Sequence, residues 1–166
     1  MQKYIDVDVY GMCGNLTCPS QENSACEDLV NSTHRFYLGF ENSFCKDYVT
    51  EKFFRWFIRR LHVVPVVRGG ADYSRFFPKG SYIDSADFPN VKALSLYLKQ
   101  LSEDPEAYAK ILKEKDKLMA KPQMNAWCKL CALAHNGGLR KVIPDIRQWS
   151  HYDGVCWEPT DLDTST

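Results

Sequence analysis

The chain has 166 residues, 45% hydrophobic and 25% charged, with 21 Lys and Arg against 21 Asp and Glu. That size and composition suit one globular domain with a real core, not a disordered chain. The even charge gives no support for a general nucleic-acid binder or an acidic-membrane binder, and no apolar run is long enough to span a bilayer.

Met1, Gln2 and Lys3 lead straight into a short strand, with no secretory signal peptide in this stretch. Ile5, Val7 and Val9 alternate with Asp6 and Asp8, and Tyr10-Gly11 turns the chain. Residues 13–31, rich in Gly, Asn, Ser and Cys, predict a loop with one short helical turn near 27–30. Phe36, Tyr37, Leu38 and Phe40 predict a buried strand, broken by the turn-favouring Glu41, Asn42 and Ser43. A helix is predicted over 47–61, capped by Asp47, with Glu51 in its first turn. Its buried face is Val49, Phe53, Phe54, Phe57, Ile58 and Leu61.

Residues 63–67 predict a second apolar strand, ended by Arg68-Gly69-Gly70, where the glycines let the backbone turn sharply. A short helix over 71–77 stops at Pro78 and Gly80, and 81–83 is a short strand. Residues 91–101 form an amphipathic helix with Val91, Leu94, Leu98 and Leu101 on one face. Another helix starts near Pro105 and runs to 120, its lysines at 110, 113, 115 and 117 facing water.

Strands alternating with helices predict a Rossmann-like α/β domain, a parallel sheet with flanking helices. Ligands on such sheets bind at the carboxyl ends of strands, where residues 41–43 and the Arg68-Gly69-Gly70 turn both fall. A strand, a polar loop and a helix N-terminus make a common phosphate site, and Lys52 offers the compact positive charge it needs. By spacing alone, an ordinary strand-to-helix connection with a solvated lysine is the commoner outcome.

There are seven cysteines, Cys13, Cys18, Cys26, Cys45, Cys128, Cys131 and Cys156, so at least one is unpaired or pairs outside this chain. Two N-glycosylation sequons, Asn15-Leu16-Thr17 and Asn31-Ser32-Thr33, sit among them and lean towards an oxidising lumen. Cys128 and Cys131, with His135 and Cys156, are a weak zinc set. For Cys45 a buried thiol and a bridge stand level. Glu41, Asp72 and His62 are acid/base candidates, His62 having a plainer reading as a histidine at a helix C-terminus.

FYLGFENSFCKDYVTEKFF, residues 36–54, resembles the donor-binding motif of the α-1,3-fucosyltransferases, which use GDP-fucose. VVPVVRGGADYSRFFPKGSYIDSADFPNVKALSLYL, residues 63–98, resembles the segment that follows in that family, and DVDVYGMCG, residues 6–14, the strand that precedes it. The AWCKLCALAH and CW elements resemble the cysteine-bearing tail of invertebrate or plant-type members. RWFIRR, residues 55–60, differs from the small-residue helix usual after YVTEK.

The resemblance implies the C-terminal half of a two-domain GT-B glycosyltransferase. The donor domain would occupy 1–156 without its first strand and helix, and a disordered tail would follow over 157–166. The acceptor domain, with the carboxylate that takes the acceptor's proton, and a Golgi type II membrane anchor would lie outside this chain. The isolated chain is then not expected to transfer fucose by itself. Asn42, Tyr48, Glu51 and Lys52 match family positions that contact GDP-fucose, with Lys52 as the catalytic cation meeting the diphosphate as GDP leaves. Glu51 would accept from ribose or sugar hydroxyls, Tyr48 would pack and offer its hydroxyl, and Asn42 would bond sugar or phosphate. The implied reaction moves fucose to a glycan hydroxyl in α-1,3 linkage with inversion, in protein glycosylation, with no cofactor or metal. In the family, cysteines at the positions of Cys128 and Cys131 form disulfides, which implies bridges here to partners either local or in the part outside this chain. Two other readings stand beside it. One is a truncated, non-catalytic module that binds a GDP-sugar or a partner; the other is a cysteine-stabilised secreted interaction domain with no affinity for GDP.

Overall fold

The computed structural model describes residues 1–18, 23–58, 61–119, 126–137, 142–150 and 155–160. Three parallel strands carry the fold in the order β1 (Phe36–Phe40), β3 (Val64–Arg68), β4 (Ile83–Asp84). β1 and β3 pair from Phe36 opposite Val64 to Phe40 opposite Arg68, and β4 joins the far side of β3 at Val66 and Val67. The valines of the middle strand lack solvent contact: Val64, Val66 and Val67, with Val63 just before it, are all 0% exposed. A β-branched run of this kind suits a strand covered on both faces.

Alternation along β3 distributes those valines between the two faces. Val64 and Val66 meet Leu94, Leu98 and Leu101 of α4 (Val91–Glu103) and Tyr108 of α5 (Pro105–Asp116). Val67 meets Phe53 and Phe57 of α2 (Glu51–Ile58), with Ala71 and Tyr73, while Val63 packs on Trp56 and on Val30 of α1 (Asn23–Thr33). The expected helix-covered parallel sheet is the observed one. Its helix starts are chemically marked. The Asn90 side chain accepts from the Ala93 N–H at 2.9 Å, and Asp104 accepts from Glu106 and Ala107 ahead of α5.

Several local expectations are corrected. Residues 5–9 are irregular, and Tyr10 makes a single bridge to Leu16. α1 has 11 residues where one turn was expected. It is tethered by the Cys18–Cys26 disulfide and anchored by the burial of Val30, so tertiary contacts override a polar, weakly helical sequence. α2 begins at Glu51, not at Asp47, which sits in a turn at φ 60°. Thr50 takes the capping role: its hydroxyl lies 3.4 Å from the Lys52 N–H and its carbonyl 3.2 Å from that of Phe53. Leu61 is buried but outside any helix, and residues 59 and 60 lie outside the described set.

Lys115, expected to face water, is 1% exposed, with its amine 3.3 Å from the Trp56 carbonyl and from Asp116. Trp157, placed in a disordered tail, pairs with Phe44 instead: β2 (Phe44–Cys45) and β5 (Cys156–Trp157) form an antiparallel ribbon. Residue 120 and the rest of the expected tail, 161–166, lie outside the described residues. The remaining elements are α3 (Tyr73–Phe76), a 3-10 turn at Ser85–Asp87, α6 (Ala126–His135) and α7 (Ile146–Ser150).

Candidate functional site

Where β1 ends, the Glu41 N–H continues the ladder to the Arg68 carbonyl at 2.9 Å. This brings Glu41 and Arg68 side by side at the carboxyl edge of the sheet. The Glu41 side chain then turns inward and is 0% exposed. It accepts from the Thr50 N–H at 2.8 Å and from the Thr50 hydroxyl at 2.7 Å, so it holds the residue that starts α2. Lys52 is the second residue of α2, its amine 3.8 Å from Glu41 and 3.9 Å from Glu51. The lysine is 24% exposed and Glu51 67%. A cation is therefore fixed between a buried carboxylate and a solvated one, at a helix N-terminus and beside two strand ends.

The glycines after β3 make room for this edge. A Cβ on Gly69 would stand 2.8 Å from the Tyr73 hydroxyl and 3.1 Å from Glu41 Cγ; one on Gly70 would stand 2.5 Å from the Cys45 nitrogen. Close approach, rather than a left-handed turn, is what requires glycine at both positions. Tyr73 has a buried hydroxyl with no hydrogen-bond partner among the described residues. Burial first, and then the charge of Glu41, push its phenol well above the ordinary range.

Beside Glu41 opens a cleft of about 560 Å³. Asn42, Ser43, Phe44 and Arg68 line one side, and Cys156, Trp157, Glu158 and Pro159 the other. The two sides are tied by the β2–β5 ribbon, by the Lys46 N–H to the Val155 carbonyl at 2.7 Å, and by the Cys45–Cys156 disulfide. That bond closes the open question at Cys45 and takes Cys156 out of the zinc set. Cys13 is an exposed free thiol, and Cys128 and Cys131, expected in disulfides, are exposed and unbridged among the described residues, so a local partner is not seen. Among the described residues no group of three or more His, Cys, Asp or Glu side chains is placed to hold a metal ion, and no helix is long and apolar enough to cross a membrane.

Of the expected site residues, Glu51 and Lys52 come together at the start of α2, and Asn42 is exposed on the adjoining cleft. Tyr48 is half-buried in the turn between β2 and α2, where its N–H donates to the Cys45 carbonyl at 3.2 Å. The acid/base candidates dissolve into structure. Glu41 is sequestered by Thr50 and Lys52. Asp72 caps α3 and is exposed, its pKa held low by the Ser74 hydroxyl at 2.7 Å. The His62 backbone bonds Asn31 and Tyr108. Sequence reasoning missed Thr50 as an anchor and missed the 155–160 wall. The bridge left open at Cys45 hinted at the wall without naming a partner.

The cation-bearing helix start lies within a wider match. Residues 1–149 match the family description "Glycosyltransferase family 10 (fucosyltransferase) C-term". The chain belongs to the family 10 fucosyltransferases. It is 40% identical over 163 residues to glycoprotein 3-alpha-L-fucosyltransferase A of Drosophila melanogaster, covering 94% of this chain and 32% of that one. With alpha-(1,3)-fucosyltransferase C of the same organism it shares 38% over 152 residues, covering 90% and 35%. A crystal structure of alpha1,3-fucosyltransferase with GDP-fucose superposes with a TM-score of 0.50 at 26% identity, over 68% of this chain and 34% of that one. This family 10 chain thus spans about a third of the length of the relatives it matches. The motif resemblance at residues 36–54 and the parallel-sheet fold both agree with that family.

Proposed function

We propose that this chain is the donor-binding part of an α-1,3-fucosyltransferase and holds GDP-fucose at the carboxyl ends of β1 and β3. The observation that carries this reading is Lys52, fixed in the first turn of α2 by Glu41 and Glu51 at 3.8 and 3.9 Å. A diphosphate arriving at a helix N-terminus meets the favourable end of the dipole. Lys52 adds a full charge where the leaving GDP gains one, which lowers the barrier to C–O cleavage. Glu51, largely solvated, is free to accept from hydroxyls of the ribose or fucose. Tyr48 and Asn42 bound the same region from the turn and the cleft.

In the complete reaction an acceptor-sugar hydroxyl attacks fucose C1, the C1–O bond to GDP breaks, and the configuration inverts. The proton passes to a base supplied from the acceptor side, in the part of the relatives that this chain does not match. The chain alone then binds GDP without turnover, and the coverage of a third of the relatives favours this donor-module behaviour. The setting we propose is the Golgi lumen, with an anchor supplied from elsewhere in a longer protein. Two disulfides and an exposed sequon asparagine, Asn15, fit an oxidising compartment. The second sequon is less open: Asn31 Oδ1 accepts from the His62 N–H at 2.6 Å.

Calorimetry on the oxidised chain tests the donor site. GDP should bind and ADP should bind more weakly. Lys52→Ala should cost about tenfold or more in GDP affinity, the range of a charge-assisted hydrogen bond. A folded chain that binds neither nucleotide, or a Lys52→Ala variant with full GDP affinity, would sink the reading.

A further inference from the structure

The cleft beside Glu41 has an unusual construction. One side belongs to the donor motif, whereas the other, residues 155–160, falls outside the 1–149 span matched to the family. That second side is nonetheless firmly placed. A two-residue ribbon has little stability of its own. Here it is locked by the Cys45–Cys156 bond and the Lys46–Val155 hydrogen bond.

What the ribbon presents is Trp157, 48% exposed on the cleft wall, with Glu158 next to it. Phe44 meets Trp157 edge-on at 6.5 Å and carries the Arg68 guanidinium over its own ring at 4.5 Å. An exposed indole next to a carboxylate, across a cleft from the Ser43 side chain, suits a ring that is apolar on one face and polar at its rim. The Glu41 carboxylate is turned away from this cleft, which leaves Glu158 and Arg68 as opposite charges on its walls, a balance that suits a neutral group.

We infer that the 155–160 strap, with Trp157 as platform and Glu158 as hydrogen-bond acceptor, is a subsite for a neutral pyranose of the acceptor glycan. The inference rests on the donor site proposed at Lys52. The two substrates of a displacement must meet, and this cleft shares Glu41 and Asn42 with the strand end where the donor is placed. With the diphosphate placed at Lys52, the neighbouring cleft wall is left for the other sugar of the displacement, the acceptor.

Saturation-transfer NMR on the oxidised chain tests this with two neutral amino-sugar disaccharides, chitobiose and N-acetyllactosamine, each with and without GDP. At least one should show transfer. Trp157→Ala should weaken it about tenfold, the scale of losing a stacked aromatic face, while Trp157→Phe retains most of it. Glu158→Ala, outside the ribbon, should weaken it without touching the fold and covers the case in which Trp157→Ala fails to fold. GDP affinity by calorimetry should stay within about twofold in all three variants, because none touches Lys52. The inference is overturned if neither disaccharide gives transfer, if transfer survives both Trp157→Ala and Glu158→Ala, or if GDP and GDP-fucose affinities fall in parallel with it. A chain that takes a disaccharide in a Trp157-dependent way but ignores GDP would strike the donor reading and leave the pyranose subsite standing.

Discussion

Glu41 is a carboxylate with no exposed side-chain surface, and burying such a charge is costly unless partners replace the water it loses. Thr50 donates twice to it and Lys52 supplies the counter-charge. The Glu41→Ala variant leaves two Thr50 donors without an acceptor and frees Lys52 from one of its two anchors. A loss of about 2–4 kcal/mol is expected, seen as a lower denaturant midpoint at unchanged slope. Glu41→Gln keeps an acceptor for the Thr50 N–H and should recover part of that loss. Equal midpoints for wild type and Glu41→Ala would show that the carboxylate anchors nothing. Residue types in the 41–52 stretch were readable from the chain alone, because a cation beside a helix start has a recognisable chemistry. That Glu41 turns inward was not, since burial is decided by Gly69 and Tyr73, which are distant in sequence.

At the scale of elements, the site depends on how closely β2 lies against the turn after β3. Gly70 sets that distance, its missing Cβ standing where the Cys45 backbone passes. Gly70→Ala should push β2 outward and carry the disulfide-bonded strap with it. The expected result is a loss of about 1–3 kcal/mol in stability, typical of overpacking, together with weaker GDP binding. Gly80→Ala is the control. Gly80 has a positive φ of 88°, so the change costs stability there too, but it lies away from the cleft and should leave nucleotide affinity intact. Strong periodicity made β1, β3 and α4 legible and Pro105 marked the start of α5, whereas in α2 it found Phe53 and Phe57 but placed the exposed Phe54 and Ile58 on the buried face and passed over Trp56. Three features escaped. α1 is polar and leans on Trp56 and a disulfide, Asp47 has backbone geometry that propensity does not foretell, and β5 is two residues whose partner lies 111 positions away.

For the whole molecule, phenols in the interior set an alkaline limit. Burial pushes Tyr108 from its ordinary 10.0 up to about 12, against the pull of Arg35. Its hydroxyl sits 2.7 Å from the Arg35 carbonyl and 2.8 Å from that of His62, so a phenolate there would face two oxygens. Burial likewise raises Tyr82 to about 12, with Asp84, Asp87 and Asp72 adding to it. A raised phenol contributes stability that is fully present below pH 10.0 and is lost as pH climbs through 12, because the unfolded chain gives up the proton first. Lys115 works in the opposite sense. Burial lowers its pKa against the pull of Asp116, so its penalty is relieved as pH rises towards 10.5. Thermal melts should therefore fall steeply only between pH 10.0 and about 12, and Tyr108→Phe should flatten that slope while lowering the melting point at neutral pH. A slope unchanged by Tyr108→Phe would place the alkaline limit elsewhere.

The bond between Cys45 and Cys156 spans 111 residues, whereas that between Cys18 and Cys26 spans 8. A ribosome delivers Cys45 long before its partner, with the thiols of Cys13, Cys18 and Cys26 already emerged and near in sequence. Short loops close at less entropic cost than long ones, so early oxidation favours wrong pairs with Cys45. Until residue 156 arrives, the correct pairing has no partner to find. A chain of this design matures in two acts, a sheet assembled first and a cleft wall latched last. Its yield of competent molecules then follows the rate of disulfide exchange more than the rate of folding.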